Sequence, residues 1–155
     1  MFDEIDCKIL DLMQTDGRIT NADIARAVEM APSAVLERVR KLEERGVIVG
    51  YAARLSPRAV RKGLLAYVLV RTDAGWQAET AAQLSKFADV QEVHHIAGED
   101  CFLIKVRTKD TSTLGEILRD QVSSLPNIRS TRTTIVLDTA KETLAVDLSE
   151  LATKE

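Results

Sequence analysis

Apolar residues recur at helical spacing three times within the first fifty positions. Ile5, Ile9, Leu12 and Met13 predict a helix over residues 3–13. A second begins at Thr20, whose hydroxyl can cap the amide of Asp23, and places Ile24, Ala25 and Val28 on one face. The pattern breaks at Glu29, Met30 and Ala31, and Pro32, suited to a first helical position, opens a third helix. In it Val35, Val39 and Leu42 form the inner stripe, and Gly46 supplies a left-handed stop.

At about 100° per residue from Val35, the side chains of Ser33, Glu37, Arg40, Lys41 and Glu44 point outward, with Ala34 and Arg38 at the margin. Arg38 can either support the domain or reach DNA. Two short helices joined by a tight turn read as a helix-turn-helix, and the first helix supplies the third element needed to close a core. An amphipathic helix with a charged outer face is common, so the pattern alone does not establish DNA binding.

Beyond Gly46 the pattern changes. Val47 to Leu55 is β-prone and reads as a wing or connecting strand; Ser56 and Pro57 mark a turn, and a basic run leads to Gly63. Apolar runs at 65–70, 90–97, 102–106 and 128–137 predict strands, and segments 74–87 and 111–122 carry helical patterns. The order β-α-β-β-α-β is the split βαβ, ferredoxin-like arrangement, giving an α+β protein with an N-terminal winged helix-turn-helix domain. The expected boundaries are 1–50 for that domain, 51–63 for the linker and 64–155 for the ferredoxin-like domain. Because Leu65, Tyr67 and Leu69 are apolar, like the alternate Ala66, Val68 and Val70, the first strand is expected to be buried on both faces, which favours sheet-to-sheet dimerisation.

Charge sharpens the picture. The chain of 155 residues carries a net charge of −3, yet residues 32–62 hold eight Lys or Arg against three Glu, a local net of +5. A basic segment on and after the outward helix face is the footprint of duplex DNA binding. The candidate DNA contacts are Thr20, Asn21, Ser33, Ala34, Glu37, Arg38, Arg40 and Lys41. With 45% hydrophobic residues the chain fits one ordinary domain or two small ones, and small ones favour association. No apolar run approaches about 20 residues and no leader pattern follows Met1, so a cytoplasmic protein without membrane insertion is expected.

Cys7 and Cys101 lack CxxC spacing and read as reduced, packed thiols. His94 and His95, adjacent on a strand, point to opposite faces and cannot both ligate one metal by their own spacing. No phosphate loop or nucleophile constellation is present, so neither a catalytic residue nor a metal or cofactor is expected. Trp76 reads as a core or interface anchor, with stacking on a ligand the alternative. In Gly98-Glu99-Asp100, Gly98 permits positive φ, exposed amides can hold a carboxylate and Asp100 can pair with an ammonium; hairpin-turn residues are the simpler reading.

DGRIT at 16–20, APSAVLERVRKLEERGVIVGY at 31–51, LSP at 55–57 and the G-x-D turn at 98–100 together resemble the Lrp/AsnC family of feast/famine transcription regulators over nearly the whole chain. Ala31 departs from the Ser usual before the Pro. The resemblance implies a homodimer formed through the C-terminal domain, often assembled into octamers, that binds double-stranded DNA and responds to a small effector, usually an amino acid. It places the effector site at Ala97, Gly98, Glu99, Asp100 and Cys101. A second function class is an enzyme similar to the sirohaem decarboxylases, which keep both modules; the basic helix and linker argue for DNA instead.

Overall fold

The computed structural model describes residues 3–73, Gly75 and residues 77–151. They divide into two compact units, one comprising the chain to Arg54 together with the segment from Lys141 onward, the other running from Leu55 to Ala140.

The first unit is built on α1 (Glu4–Thr15), α2 (Asn21–Ala27) and α3 (Pro32–Glu44). Asp3 caps α1 through a reciprocal box with Asp6. Thr20 accepts from the Asp23 amide at 3.1 Å, as its position predicts. Helix α2 ends where Glu29 takes a left-handed φ of 56° and the Met30 amide donates to the Ala25 carbonyl at 2.9 Å. That six-residue closure normally uses glycine. Pro32 starts α3 and, because Ala31 has no hydroxyl, no side chain caps it. Gly46, at φ +68°, ends α3 with the same closure, its neighbour Val47 donating to Leu42 at 2.9 Å.

Ile9, Leu10, Ile24, Ala25, Val35, Val39 and Leu42 are the buried core of this unit. Leu148 packs against them, so the end of the described chain belongs with the helices and not, as expected, with the ferredoxin-like domain. Gln14 holds this segment: its side-chain amide donates to the Val146 carbonyl at 3.1 Å and its carbonyl accepts from the Val146 amide at 2.7 Å. The linker also divides, 51–54 falling with the first unit and 55–63 with the second. No strand forms between Val47 and Leu55, contrary to the expected wing or connecting strand. A strand needs a hydrogen-bonded edge beside it, and among the described residues no segment supplies one there.

The second unit is a four-stranded sheet of β1 (Leu64–Thr72), β2 (Val90–His95), β3 (Phe102–Thr108) and β4 (Ile128–Ile135), with α4 (Ala78–Leu84) and α5 (Thr111–Glu116). The order β2-β3-β1-β4, antiparallel throughout, is the ferredoxin-like one. Helix α4 is shorter than the expected 74–87; Ala74 and Trp76 lie outside the described residues. Helix α5 passes into a π-helical stretch, Ile117–Val122. The wider turn lets both Ile117 and Val122 reach the core, which an unbroken α-helix after Leu114 and Ile117 would not.

Both helices cover one face of the sheet, where Ala66, Val68 and Val70 meet Phe102, Ile104, Val106, Leu84 and Leu114. The other face of β1 is only partly covered. Leu65 is buried there, whereas Tyr67 and Leu69 are half-buried, so burial on both faces is not complete within one chain.

Candidate functional site

The inner stripe of α3 is locked, with Val35 fully buried and Val39 and Leu42 nearly so. Ser33, Glu37, Arg40 and Lys41 are therefore exposed, and Ala34 and Arg38 half-buried. Thr20 is exposed and Asn21 half-buried at the start of α2. Arg40 pairs with Glu44 at 2.9 Å and Lys41 with Glu37 at 3.5 Å, each one helical turn apart and well exposed. Such pairs contribute little and open readily to a stronger anion.

Arg38 has a different role. Its Nη1 lies 2.7 Å from both Asp3 Oδ2 and Asp6 Oδ1, tying α3 to the first turn of α1. Asp6 retains 8% exposure, so this guanidinium neutralises a buried carboxylate. The amide of Asp6 foremost, and then Arg38, hold the Asp3 carboxyl below its ordinary range. Of the two roles left open for Arg38, this geometry provides the supporting one.

Other cations of the basic segment also have partners. Arg54 donates to the Glu142 carbonyl at 3.1 Å, and Lys62 pairs with Asp89. Tyr51 donates to Glu43 at 2.8 Å; partial burial, then that bond, push its phenol up to about 12.

The β2–β3 turn brings Ala97, Gly98, Glu99 and Asp100 into one four-residue loop, closed by the Ile96 amide donating to the Cys101 carbonyl at 3.1 Å. Gly98 sits at φ +126° with open space where a Cβ would stand. Cys101 is anchored on its neighbour strand: its amide donates to Val70 at 3.0 Å, and Thr72 Oγ1 lies 3.3 Å from its sulfur. The two acidic residues each hold an arginine of another strand. Glu99 meets Arg71 of β1 at 3.3 Å, and Asp100 meets Arg132 of β4 at 2.9 Å. Neither arginine stands out in sequence, since a single cation in an alternating strand reads as a solvated position.

His94 Nε2 lies 3.1 Å from Glu92, which Lys105 also contacts at 3.0 Å. Those two bonds, His94 first, hold the Glu92 carboxyl below its ordinary range. The His95 ring instead tilts against Phe102 at 6.3 Å, so the adjacent histidines have separate surroundings. Among the described residues no three His, Cys, Asp or Glu side chains are grouped to hold a metal ion. Cys7 is buried, which pushes its thiol up, and Cys101 is half-buried. No described helix is long and apolar enough to cross a membrane.

Comparison with known proteins agrees with both units. Residues 2–43 match the AsnC-type helix-turn-helix domain, and residues 65–146 the Lrp/AsnC ligand binding domain. The HTH-type transcriptional regulator FL11 of Pyrococcus horikoshii is 39% identical, over 91% of this chain and 93% of its own. The leucine-responsive regulatory protein of Escherichia coli K12 is 37% identical, over 90% and 87%. Among solved structures, a transcriptional regulator of Neisseria meningitidis in complex with L-methionine superposes with a TM-score of 0.92 at 29% identity, over 97% of this chain and 99% of the other. The feast or famine regulatory protein of M. tuberculosis, complexed with L-methionine, gives 0.85 at 33% identity, over 92% and 97%. These relatives are regulators, which favours that reading over a decarboxylase. The chain belongs to the Lrp/AsnC family of transcriptional regulators, with a helix-turn-helix DNA-binding domain followed by the family's ligand-binding domain.

Proposed function

We propose that α3 enters the major groove of an operator, with Ser33, Glu37, Arg40 and Lys41 facing the DNA and Thr20 and Asn21 approaching the phosphate backbone from the start of α2. The observation that carries this reading is the rotational setting of α3, in which the buried Val35, Val39 and Leu42 fix the outward direction of those four side chains. Ala34 borders the contact face. Arg38 acts indirectly, by holding α3 against α1.

The effector is an α-amino acid bound at Ala97, Gly98, Glu99, Asp100 and Cys101. Support comes from the chemistry of the turn, which combines accessible amides with a carboxylate, and from L-methionine in two structurally similar regulators. Two chains pair through the half-covered sheet face carrying Tyr67 and Leu69, which would complete the burial of β1. The protein acts in the cytoplasm, with no catalytic step.

A thermal-shift screen of the twenty L-amino acids, followed by fluorescence anisotropy on DNA upstream of the protein's own gene, tests the reading. A ligand at 100 times its dissociation constant stabilises its site by about 2.7 kcal/mol. Failure of every amino acid to shift melting removes the effector assignment; absence of salt-sensitive DNA binding removes the operator assignment.

A further inference from the structure

From Arg45 to Thr72 the chain carries six Lys or Arg and no Asp or Glu. Within this stretch residues 56–62 form a compact turn of their own. Ser56 Oγ accepts from the Ala59 amide at 3.4 Å. The turn closes as the Arg61 amide donates to the Arg58 carbonyl at 3.1 Å and the Lys62 amide to the Pro57 carbonyl at 2.7 Å. Arg61 occupies the left-handed position of that closure, at φ 57°, where glycine is favoured. The stem of Arg58 lies across Gly63, its Cγ 3.4 Å from where a Cβ would stand. Lys62 pairs with Asp89, just before β2, which ties the turn to the end of the sheet remote from the β2–β3 turn.

The cations of residues 32–62 are not equivalent. Arg38, Arg40, Lys41, Arg54 and Lys62 each meet an oxygen of the chain, and Arg45 is engaged as well. Arg58 and Arg61 are exposed and meet no carboxylate among the described residues. A paired cation must exchange one anion for another when a polyanion arrives, whereas a free guanidinium gains the whole contact and releases a condensed counterion. The closure also keeps an arginine where glycine would strain the backbone less, and what the arginine adds there is an unpaired charge in solvent.

We infer that this linker turn is a second DNA-contact surface, on which Arg58 and Arg61 bind backbone phosphates of the duplex outside the half-site that α3 enters. The inference rests on the operator reading above and adds to it a surface belonging to the other compact unit. Duplex DNA is the partner because its dense, regular phosphates suit a fixed turn that offers charge and planar guanidinium forks. The turn precedes β1 and is not part of the sheet face of Tyr67 and Leu69, so pairing through that face does not call on its residues. Contacts of this kind hold the duplex without reading its bases.

Fluorescence anisotropy of the full chain at several salt concentrations tests this on two duplexes of equal length, the DNA upstream of the protein's own gene and the same bases scrambled. Arg58→Gln and Arg61→Gln should each lower the slope of log affinity against log salt by about 1, and the double variant by about 2. Both duplexes should respond alike, leaving the preference between them unchanged. Arg61→Gly separates the charge from the turn. It relieves the left-handed backbone, so it should melt no lower than the unaltered protein yet bind DNA as weakly as Arg61→Gln, while Arg61→Lys keeps the slope. Affinity and slope unchanged in the double variant, or Arg61→Gly binding like the unaltered protein, overturn the second surface and leave the α3 reading standing. A double variant that keeps its slope but changes mass in light scattering also overturns it, assigning the turn to contact between copies. If Arg40→Ala and Lys41→Ala change nothing while the double variant loses slope, the α3 reading falls and the linker surface stands. Absence of salt-sensitive binding by the unaltered protein to either duplex overturns both.

Discussion

Gln14 and Val146, 132 positions apart, are joined by two hydrogen bonds, the Gln14 amide group meeting both the carbonyl and the amide of Val146. This ladder-like contact holds an extended segment against the end of α1. It also aligns Leu148 with the core made by Ile9, Val35 and Leu42. The helix-turn-helix unit is thus discontinuous in sequence, and a fragment ending before Lys141 lacks part of its packing.

Gln14→Ala is expected to destabilise the first unit by about 1 kcal/mol, the usual net value for exposed-to-half-buried hydrogen bonds lost together. Leu148→Ala should cost about 1–2 kcal/mol through lost apolar burial. Chemical denaturation read by circular dichroism measures both. Unchanged midpoints in the two variants would mean that the segment rests on the helices without stabilising them.

Arg38→Gln should destabilise the same unit by about 1–3 kcal/mol, because Asp6 would keep a mostly buried carboxylate without its cation. Its acid dependence is also predictable. A depressed carboxyl binds fewer protons in the folded chain than in the unfolded one around its ordinary pKa. Its stabilisation is therefore present above the ordinary carboxylate range and is lost as pH falls through the depressed value. Asp3 behaves in this way, and Arg38→Gln should reduce the loss of stability below about pH 4. Denaturation midpoints across pH 2–6 in the two proteins provide the check; parallel curves would detach Arg38 from Asp3.

Much of this organisation is legible in the chain. Thr20, Pro32 and Gly46 mark helix ends by local chemistry, and Val35, Val39 and Leu42 carry their burial in their spacing. The alternation of strands and helices gives the ferredoxin-like order because sequential elements are few and short. What spacing does not contain is long-range pairing. Nothing near Gln14 announces Val146, and nothing in β4 singles out Arg132 as the partner of Asp100. Glu29 is a further case: its left-handed φ is imposed by the closure of α2, at a residue type that gives no local signal. The strand expected after Gly46 fails for the complementary reason, since β-propensity describes a residue's fit to a sheet and cannot provide the neighbouring edge.

Tyr51 supplies an alkaline counterpart. Its phenol, pushed up to about 12 by partial burial and the bond to Glu43, stays protonated in the folded chain after an ordinary phenol has ionised. The contribution to stability is complete below about pH 10 and is lost as pH rises from there toward the folded value. The ultraviolet difference titration between the unaltered protein and Tyr51→Phe isolates this group from Tyr67. A midpoint near 12 is expected, falling toward the ordinary value in Glu43→Gln; a midpoint near 10 in the unaltered protein would break the link.

On α3, Arg40→Ala and Lys41→Ala should weaken operator binding while leaving stability within about 0.5 kcal/mol, since their helical ion pairs are exposed. A residue that contacts a phosphate should also lower the slope of log affinity against log salt by about 1. Fluorescence anisotropy at several salt concentrations reads both quantities. Unchanged affinity and slope in the two variants would turn the DNA-facing side of α3 elsewhere.

Gly98 separates an effector site from an ordinary hairpin turn. At φ +126° any side chain strains the backbone, even though nothing crowds the position of a Cβ. Gly98→Ala and Gly98→Val should therefore each cost about 1–3 kcal/mol locally. The loop is fixed at its ends by the bond from Ile96 to Cys101, so the strain falls on the amides of Gly98 and Glu99. If those amides receive the effector's carboxylate, both variants lose the thermal shift produced by the amino acid that stabilises the unaltered protein. They should still bind operator DNA without it, because the helix-turn-helix belongs to the other compact unit. Melting curves with and without the amino acid, alongside an operator mobility shift, give the comparison. A lowered melting temperature with the amino-acid shift intact would leave Gly98 a turn residue alone, and loss of DNA binding in the absence of effector would mean that the turn supports the assembly which holds the DNA-binding units.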